Sequence, residues 1–181
     1  CSRDWSSDVC SSDLNKTHKF LIRRRKKMIF KELPLIFGIG GVARCGKDTL
    51  GKYLINKLNR SGFPAMNVSF AMELKKDLDP FLKDKLNISA FTDVNSEKEL
   101  IRPMLVCWGT DVCRKLDSDF WIKKIEKQVK SSINNKIIVV ITDVRYENEA
   151  KWIKDNGGYL IHLSRMGIKP SNFQEKLNDP I

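Results

Sequence analysis

The segment Leu35-Ile36-Phe37-Gly38-Ile39-Gly40-Gly41-Val42-Ala43-Arg44-Cys45-Gly46-Lys47-Asp48-Thr49 leaves fewer folding options than any other in the chain. Its apolar start reads as a buried strand, its glycines impose a turn, and the residues after Lys47 keep a helical period. A strand that breaks into such a turn and reopens as a helix makes a cradle for phosphate. Backbone N–H groups from Gly41 to Lys47 turn inward, and the helix N-terminus adds its positive end. Gly41 and Gly46 give a backbone path and a close approach that a side chain would block, while Lys47 can reach the outer phosphate oxygens. The spacing is G-x-x-x-x-G-K. Asp48 stands where the common pattern has Ser or Thr, and Thr49 follows. A glycine-rich turn that binds nothing is the alternative; the lysine and the two flanking elements weigh against it.

The ends of the chain read differently. Residues 1–14 begin with Cys1, are polar and near-repetitive, and look like translated adapter sequence, so they are set aside from fold reasoning. Residues 15–27 end in Arg23-Arg24-Arg25-Lys26-Lys27, a basic run that reads as a solvated tail, a nucleic-acid arm or a surface anchor. The folded domain is therefore expected over 28–181, starting at Met28. After Arg165 the apolar period lapses, so the domain is expected to lack a last strand and closing helix, which would leave a sheet edge exposed.

Charge narrows the partners. The whole chain carries +11, of which residues 1–27 hold +5 and residues 28–181 hold +6. That excess suits a small polyanion and is too diffuse to require nucleic acid. No run approaches the length of a membrane span. Beyond the leader, Cys45, Cys107 and Cys113 form no disulfide framework and no C-x-x-C pair, which fits a reducing, cytoplasmic setting. Cys45 is in the loop but is not read as a nucleophile.

The order of elements sets the fold class. Lys47 to Asn59 carries Leu50, Leu54 and Leu58 on one helical stripe, and Ala65 to Ala71 reads as a short strand. Ala71 to Leu78 is helical, and Asp79-Pro80 is expected to restart a helix, with Asp79 as cap. Ser96-Glu97-Lys98-Glu99 reads as a capping box for a helix ending near Gly109, with Thr110 or Asp111 capping the next. Trp121, Ile122, Ile125, Val129 and Ile133 form the apolar stripe of a longer helix. Ile137 to Thr142 is β-branched with no polar alternation, as expected of a central parallel strand covered on both faces. Glu147 to Asn156 is helical, and Tyr159 to Leu163 is another strand. Alternation of this kind gives an α/β, three-layer arrangement, a parallel sheet flanked by helices.

Ligands of such sheets sit beyond the carboxyl ends of the strands, where Asp143 and Arg145 follow the central strand. Asp143 reads as a magnesium-holding carboxylate or as a cap for the following helix. Arg145 reads as a phosphate ligand or as a surface partner of Glu147 or Glu149.

Taken together, four stretches resemble the deoxynucleoside monophosphate kinases of tailed bacteriophages, of P-loop kinase fold. They are Gly41 to Thr49; Arg102-Pro103-Met104-Leu105 leading to Trp108-Gly109-Thr110-Asp111-Val112-Cys113-Arg114; Asp119-Phe120-Trp121; and Thr142-Asp143-Val144-Arg145-Tyr146-Glu147-Asn148-Glu149. The resemblance implies transfer of the ATP γ-phosphoryl group to a deoxynucleoside 5′-monophosphate with Mg2+. It implies ATP contacts from Gly41, Ala43, Arg44, Cys45, Gly46, Lys47, Asp48 and Thr49, with Asp48 and Asp143 on the metal and Lys47, Arg44, Asp143 and Arg145 in catalysis. It places Ala71, Leu74, Lys75, Arg102, Gly109, Asp111, Trp121 and Arg145 around the acceptor. Trp121 reads equally as core, and Lys75 beside Lys76 as a solvated face. Arg114 is a further candidate cation, Val106 replaces a Gln common in relatives, and Arg165 matches an arginine near a mobile lid. A kinase of another small molecule, such as dephospho-coenzyme A or a nucleoside, and a non-catalytic ATP-binding domain are the alternatives. Partners are expected to be small nucleotides, with no nucleic acid and no membrane, and a homodimer left open.

Overall fold

The computed structural model describes residues 35–167. The expectations for residues 1–27 and for the stretch after Gly167 lie outside the described residues.

Four strands form one all-parallel sheet in the order β2-β3-β1-β4. They are β1 (Ile36–Gly40), β2 (Ala65–Val68), β3 (Ile138–Val144) and β4 (Tyr159–His162). Strand β3 has β-branched side chains on both faces and is buried along nearly its whole length, as its sequence requires. Register sets the level of the site. Gly40 at the end of β1 pairs with Val144 at the end of β3, so the loop after one strand opens beside the turn after the other.

The helices are α1 (Lys47–Arg60), α2 (Phe70–Leu86), α3 (Asn95–Val106), α4 (Arg114–Leu116), α5 (Phe120–Asn134) and α6 (Glu147–Asp155), with a π-helical stretch, Cys107–Cys113, between α3 and α4. The stripe of α5 buries Trp121, Ile122, Ile125 and Val129 against Val139, Ile141 and Val144 of β3, with Ile133 partly buried beside them. A smaller cluster of Leu82, Ala90 and Ile101 joins α2 to α3.

Three local expectations are corrected. Helix α2 runs through Pro80 without restarting. Instead of capping, Asp79 accepts hydrogen bonds from the Ser89 hydroxyl at 2.7 Å and the Ala90 N–H at 2.9 Å, tying the loop after α2 back to the helix. Helix α3 begins one residue before Ser96 and has no side-chain cap. Glu97 accepts from the Thr92 hydroxyl, and that hydroxyl in turn accepts from the Val94 N–H at 3.2 Å. No helix boundary occurs at Gly109; the chain widens into the π-helical stretch and continues to Leu116.

Candidate active site

Gly41 follows β1 with φ +133°, and a Cβ there would sit 2.2 Å from the Leu163 carbonyl oxygen, so only glycine fits. Leu163 approaches because its N–H bonds Gly40 O at 2.9 Å, which brings the chain after β4 across the loop. Gly46 caps α1 in the left-handed region, with φ +106°. Arg44, also left-handed at φ +64°, is exposed. Lys47 is folded back onto the loop: its Nζ donates to Gly41 O and Val42 O, each at 2.7 Å. Cys45 is buried, and its Sγ lies 3.9 Å from the same Nζ.

Asp48 and Thr49 are exposed at the start of α1. Asp48 Oδ1 accepts from the Thr142 hydroxyl at 3.0 Å. In the commoner loop the hydroxyl is on the helix and the carboxylate on the strand; here the two have changed places. Gly51, the one buried residue of α1, lets the helix seat against the Thr142 methyl group, which a Cβ at position 51 would meet at 2.2 Å.

Asp143 has a different set of partners. Its Oδ2 accepts from the Ser69 hydroxyl at 2.7 Å and the Ala71 N–H at 2.8 Å, and its Oδ1 from the Phe70 N–H at 3.3 Å. These are donors at the N-terminus of α2, so the carboxylate caps a helix from far away in sequence and not the helix that follows it. Burial pushes the Asp143 carboxyl above the ordinary aspartate range, opposed by these three hydrogen bonds and by Arg145.

Between α2, the end of α3 and the turn after β3 lies a cleft of about 170 Å³. Ala71, Leu74, Arg102, Gly109, Trp121 and Arg145, all acceptor-site candidates from sequence, line it; Lys75 and Asp111 do not. Lys75 lies over the Phe91 ring at 5.7 Å, and the exposed Asp111 faces Lys115 at 3.5 Å. Trp121 is 2% exposed and donates through Nε1 to Gly109 O at 3.0 Å, so it serves as core and as cleft wall together. Gly109 is packed so closely that a Cβ would lie 2.9 Å from Leu74 Cδ2.

The sequence reading missed Phe70, Leu105, Thr110, Tyr146 and Glu149 as lining residues. Glu149, 1% exposed, pairs with Arg114, whose guanidinium also lies 3.9 Å over the Tyr146 ring. Burial pushes the Glu149 carboxyl upward, with Arg114 pulling the other way. The surface pairing of the Arg145 side chain with Glu147 or Glu149 is not formed: Glu149 is buried and pairs with Arg114, and Arg145 meets it only through its backbone N–H, which donates to Glu149 Oε2 at 2.8 Å. Both carboxylates of the cleft are thus fully engaged. The guanidiniums of Arg102 and Arg145 make no hydrogen bond or ion pair with any described residue and line the cleft. Such a site can hold an anion.

The loop has the hard oxygen donors that suit magnesium, an ion commonly held by one or two carboxylates together with substrate phosphates. Asp48 keeps Oδ2 without a hydrogen-bond donor among the described residues, and the Thr49 hydroxyl stands beside it in sequence. The described residues contain no cluster of three or more His, Cys, Asp or Glu side chains that could hold a metal ion. No helix among the described residues is long and apolar enough to cross a membrane.

A family model described as phosphomevalonate kinase matches residues 39–158, from the end of β1 to the start of β4. The chain is also 32% identical to an Acanthamoeba polyphaga mimivirus protein described as "Putative deoxynucleotide monophosphate kinase", over 74% of this chain and 76% of that protein.

Proposed function

This chain belongs to the phosphomevalonate kinase family, a family of kinases, and from that premise we propose that it transfers the γ-phosphoryl group of ATP to a deoxynucleoside 5′-monophosphate. The observation that carries the reading is the pair of guanidiniums, Arg102 and Arg145, that line a cleft whose two carboxylates are both occupied and that form no hydrogen bond or ion pair with a described residue. Two cations lining the cleft suit an acceptor whose nucleophile is a phosphate oxygen. That oxygen is already anionic and needs no proton removed.

In the proposed reaction the acceptor oxygen attacks the γ-phosphorus, a P–O bond forms, and the bond to the β–γ bridging oxygen breaks to release ADP. Gly41 to Lys47 hold the donor phosphates by backbone N–H groups, and Lys47 exchanges its two loop carbonyls for phosphate oxygens. Arg145, beside the end of β1, and Arg102 hold the acceptor phosphate; Arg44 adds charge from the loop. Asp48 and Thr49 would hold Mg2+, which when bound neutralises the donor phosphates; Thr142 orients Asp48 for that contact. Asp143 keeps the N-terminus of α2 in place as a wall of the acceptor cleft. Trp121, Leu74 and Leu105 give the cleft apolar surface for a base.

Phosphomevalonate is a second phosphate-bearing acceptor, favoured by the family match. ADP formation from ATP and magnesium, followed with dTMP, dGMP, dCMP, dAMP and phosphomevalonate, separates the readings. Turnover dependent on a deoxynucleotide supports the proposal. Turnover with phosphomevalonate alone replaces it, and ATP binding without acceptor-dependent ADP removes the enzyme reading.

A further inference from the structure

Glu149 is a buried carboxylate that the proposed chemistry does not use, yet it lines the acceptor cleft. Each of its oxygens has a different task. Oε1 pairs with the Arg114 guanidinium on the segment that follows the π-helical stretch. Oε2 accepts two backbone N–H groups from the turn after β3, Arg145 at 2.8 Å and Tyr146 at 3.1 Å. The second of these is the half of a capping box in which the third residue of a helix reaches back to its N-cap, since Tyr146 is the N-cap of α6.

A surface capping glutamate would end there. This one is inside the protein, and its other oxygen is committed to an arginine 35 positions away in sequence. Arg114 is held on a second side by the Tyr146 ring beneath it, at 3.9 Å. One carboxylate therefore links two walls of the cleft: the turn that carries Arg145 and the segment that carries Arg114. A guanidinium has five N–H donors, so Arg114 keeps donors beyond those that Glu149 takes.

We infer that Glu149 is a positioning residue for the phosphate-bearing acceptor: it fixes the turn that aims Arg145 and orients Arg114, so that the cleft presents its cations in one arrangement. This inference rests on the acceptor reading of the cleft. Glu149 touches neither reactant and acts only through the two arginines. Its loss weakens acceptor binding and leaves the phosphate loop, which it does not contact, unaffected. Misplacing a substrate-binding group by about 1 Å costs up to roughly a hundredfold.

The test uses the full chain with Glu149→Gln. The amide keeps an acceptor for the backbone N–H groups and removes the charge facing Arg114. The expected result is an acceptor KM raised on the order of tenfold or more, with the KM for ATP within about twofold of the parent. Because a lone buried arginine can unfold the protein, Glu149→Gln combined with Arg114→Met is made alongside; it leaves no buried charge unpaired. If Glu149 acts through Arg114, the double variant is no worse for the acceptor than Arg114→Met alone. Hydrogen exchange of the Arg145 and Tyr146 amides reads the clamp without turnover: protection in the parent, lost in Glu149→Ala.

An acceptor KM unchanged in Glu149→Gln overturns the inference, as does an equal rise in both KM values, which marks a general structural role. Unprotected amides in the parent also overturn it. A parent protein with no acceptor-dependent turnover overturns the proposed function and the acceptor role of Glu149 together, while protected amides would still establish the clamp as architecture.

Discussion

Asp143, near the end of β3, accepts the hydroxyl of Ser69 at 2.7 Å across 74 positions of sequence, and with it takes over the N-terminus of α2. The carboxylate thereby fixes a helix that forms one wall of the acceptor cleft to the strand beside the phosphate loop. Asp143→Ala leaves the Phe70 and Ala71 N–H groups and the Ser69 hydroxyl without this acceptor. A loss of about 2 kcal/mol in urea unfolding is expected. Asp143→Asn, which keeps one carbonyl acceptor, loses less. In both variants acceptor affinity falls more than ATP affinity, measured by separate titrations.

Gly41 and Gly46 both have positive φ but differ in surroundings, and the difference gives unequal expectations for the free protein. A methyl group at Gly41 meets the Leu163 carbonyl oxygen at 2.2 Å, whereas at Gly46 the nearest atom is Leu163 Cδ2 at 3.9 Å. Gly41→Ala is expected to cost about 2 kcal/mol or more, from backbone clash and strained φ together, and Gly46→Ala less. Thermal melts of the two variants compare them directly. A larger loss in Gly46→Ala contradicts the packing described.

Lys47→Met removes the cation aimed at the donor phosphates and the two hydrogen bonds to Gly41 O and Val42 O. Acceptor-dependent ADP formation is expected to fall on the order of a hundredfold or more, the scale of losing one preorganised donor to developing negative charge. The melting midpoint falls slightly as well, because the free loop loses its own internal bonds. Retention of turnover in this variant rules out the loop as the ATP site.

Acid sensitivity is expected from Asp79. Its hydrogen bonds with Lys83, then Ser89 and Ala90, lower its carboxyl pKa from the ordinary 3.8. The unfolded chain therefore binds the proton more readily than the folded one. The stabilisation is present above the unfolded value and is lost as pH falls through the folded value, so the decline sets in below about pH 5. Asp143 and Glu149, shifted upward, contribute with the opposite sign. The informative measurement is the difference in melting midpoint between parent and Asp79→Asn at each pH, which should shrink on acidification.

Much of this architecture is legible in local pattern. The loop declares itself by Gly41, Gly46 and Lys47, the inner strand by the unbroken β-branched run before Thr142, and α5 by the spacing of Trp121, Ile122, Ile125 and Val129. What local pattern misses is settled by contacts distant in sequence. Pro80 removes one helical hydrogen bond, but Leu78 and Leu82, on either side of it, pack into the cluster with α3, and the helix carries on. Gly109 looks like a helix end. Leu74 fills the space a side chain would take there and Trp121 binds its carbonyl, so the backbone widens instead of stopping. Asp143 and Glu149 could not be assigned from spacing, because the helix start and the arginine that occupy them lie 35 or more positions away.

The full engagement of both cleft carboxylates also bears on how the rate should answer to pH. Asp143 and Glu149 are held in hydrogen bonds and both carboxyls are pushed upward by burial, so the cleft and the acceptor phosphate share the acid side of the profile. The acceptor's part of the acid limb comes from its phosphate, which takes up its second proton near about pH 6. Exchanging that phosphate for one of lower pKa should move that part of the limb with the substrate, so the profile becomes a readout of which molecule occupies the cleft.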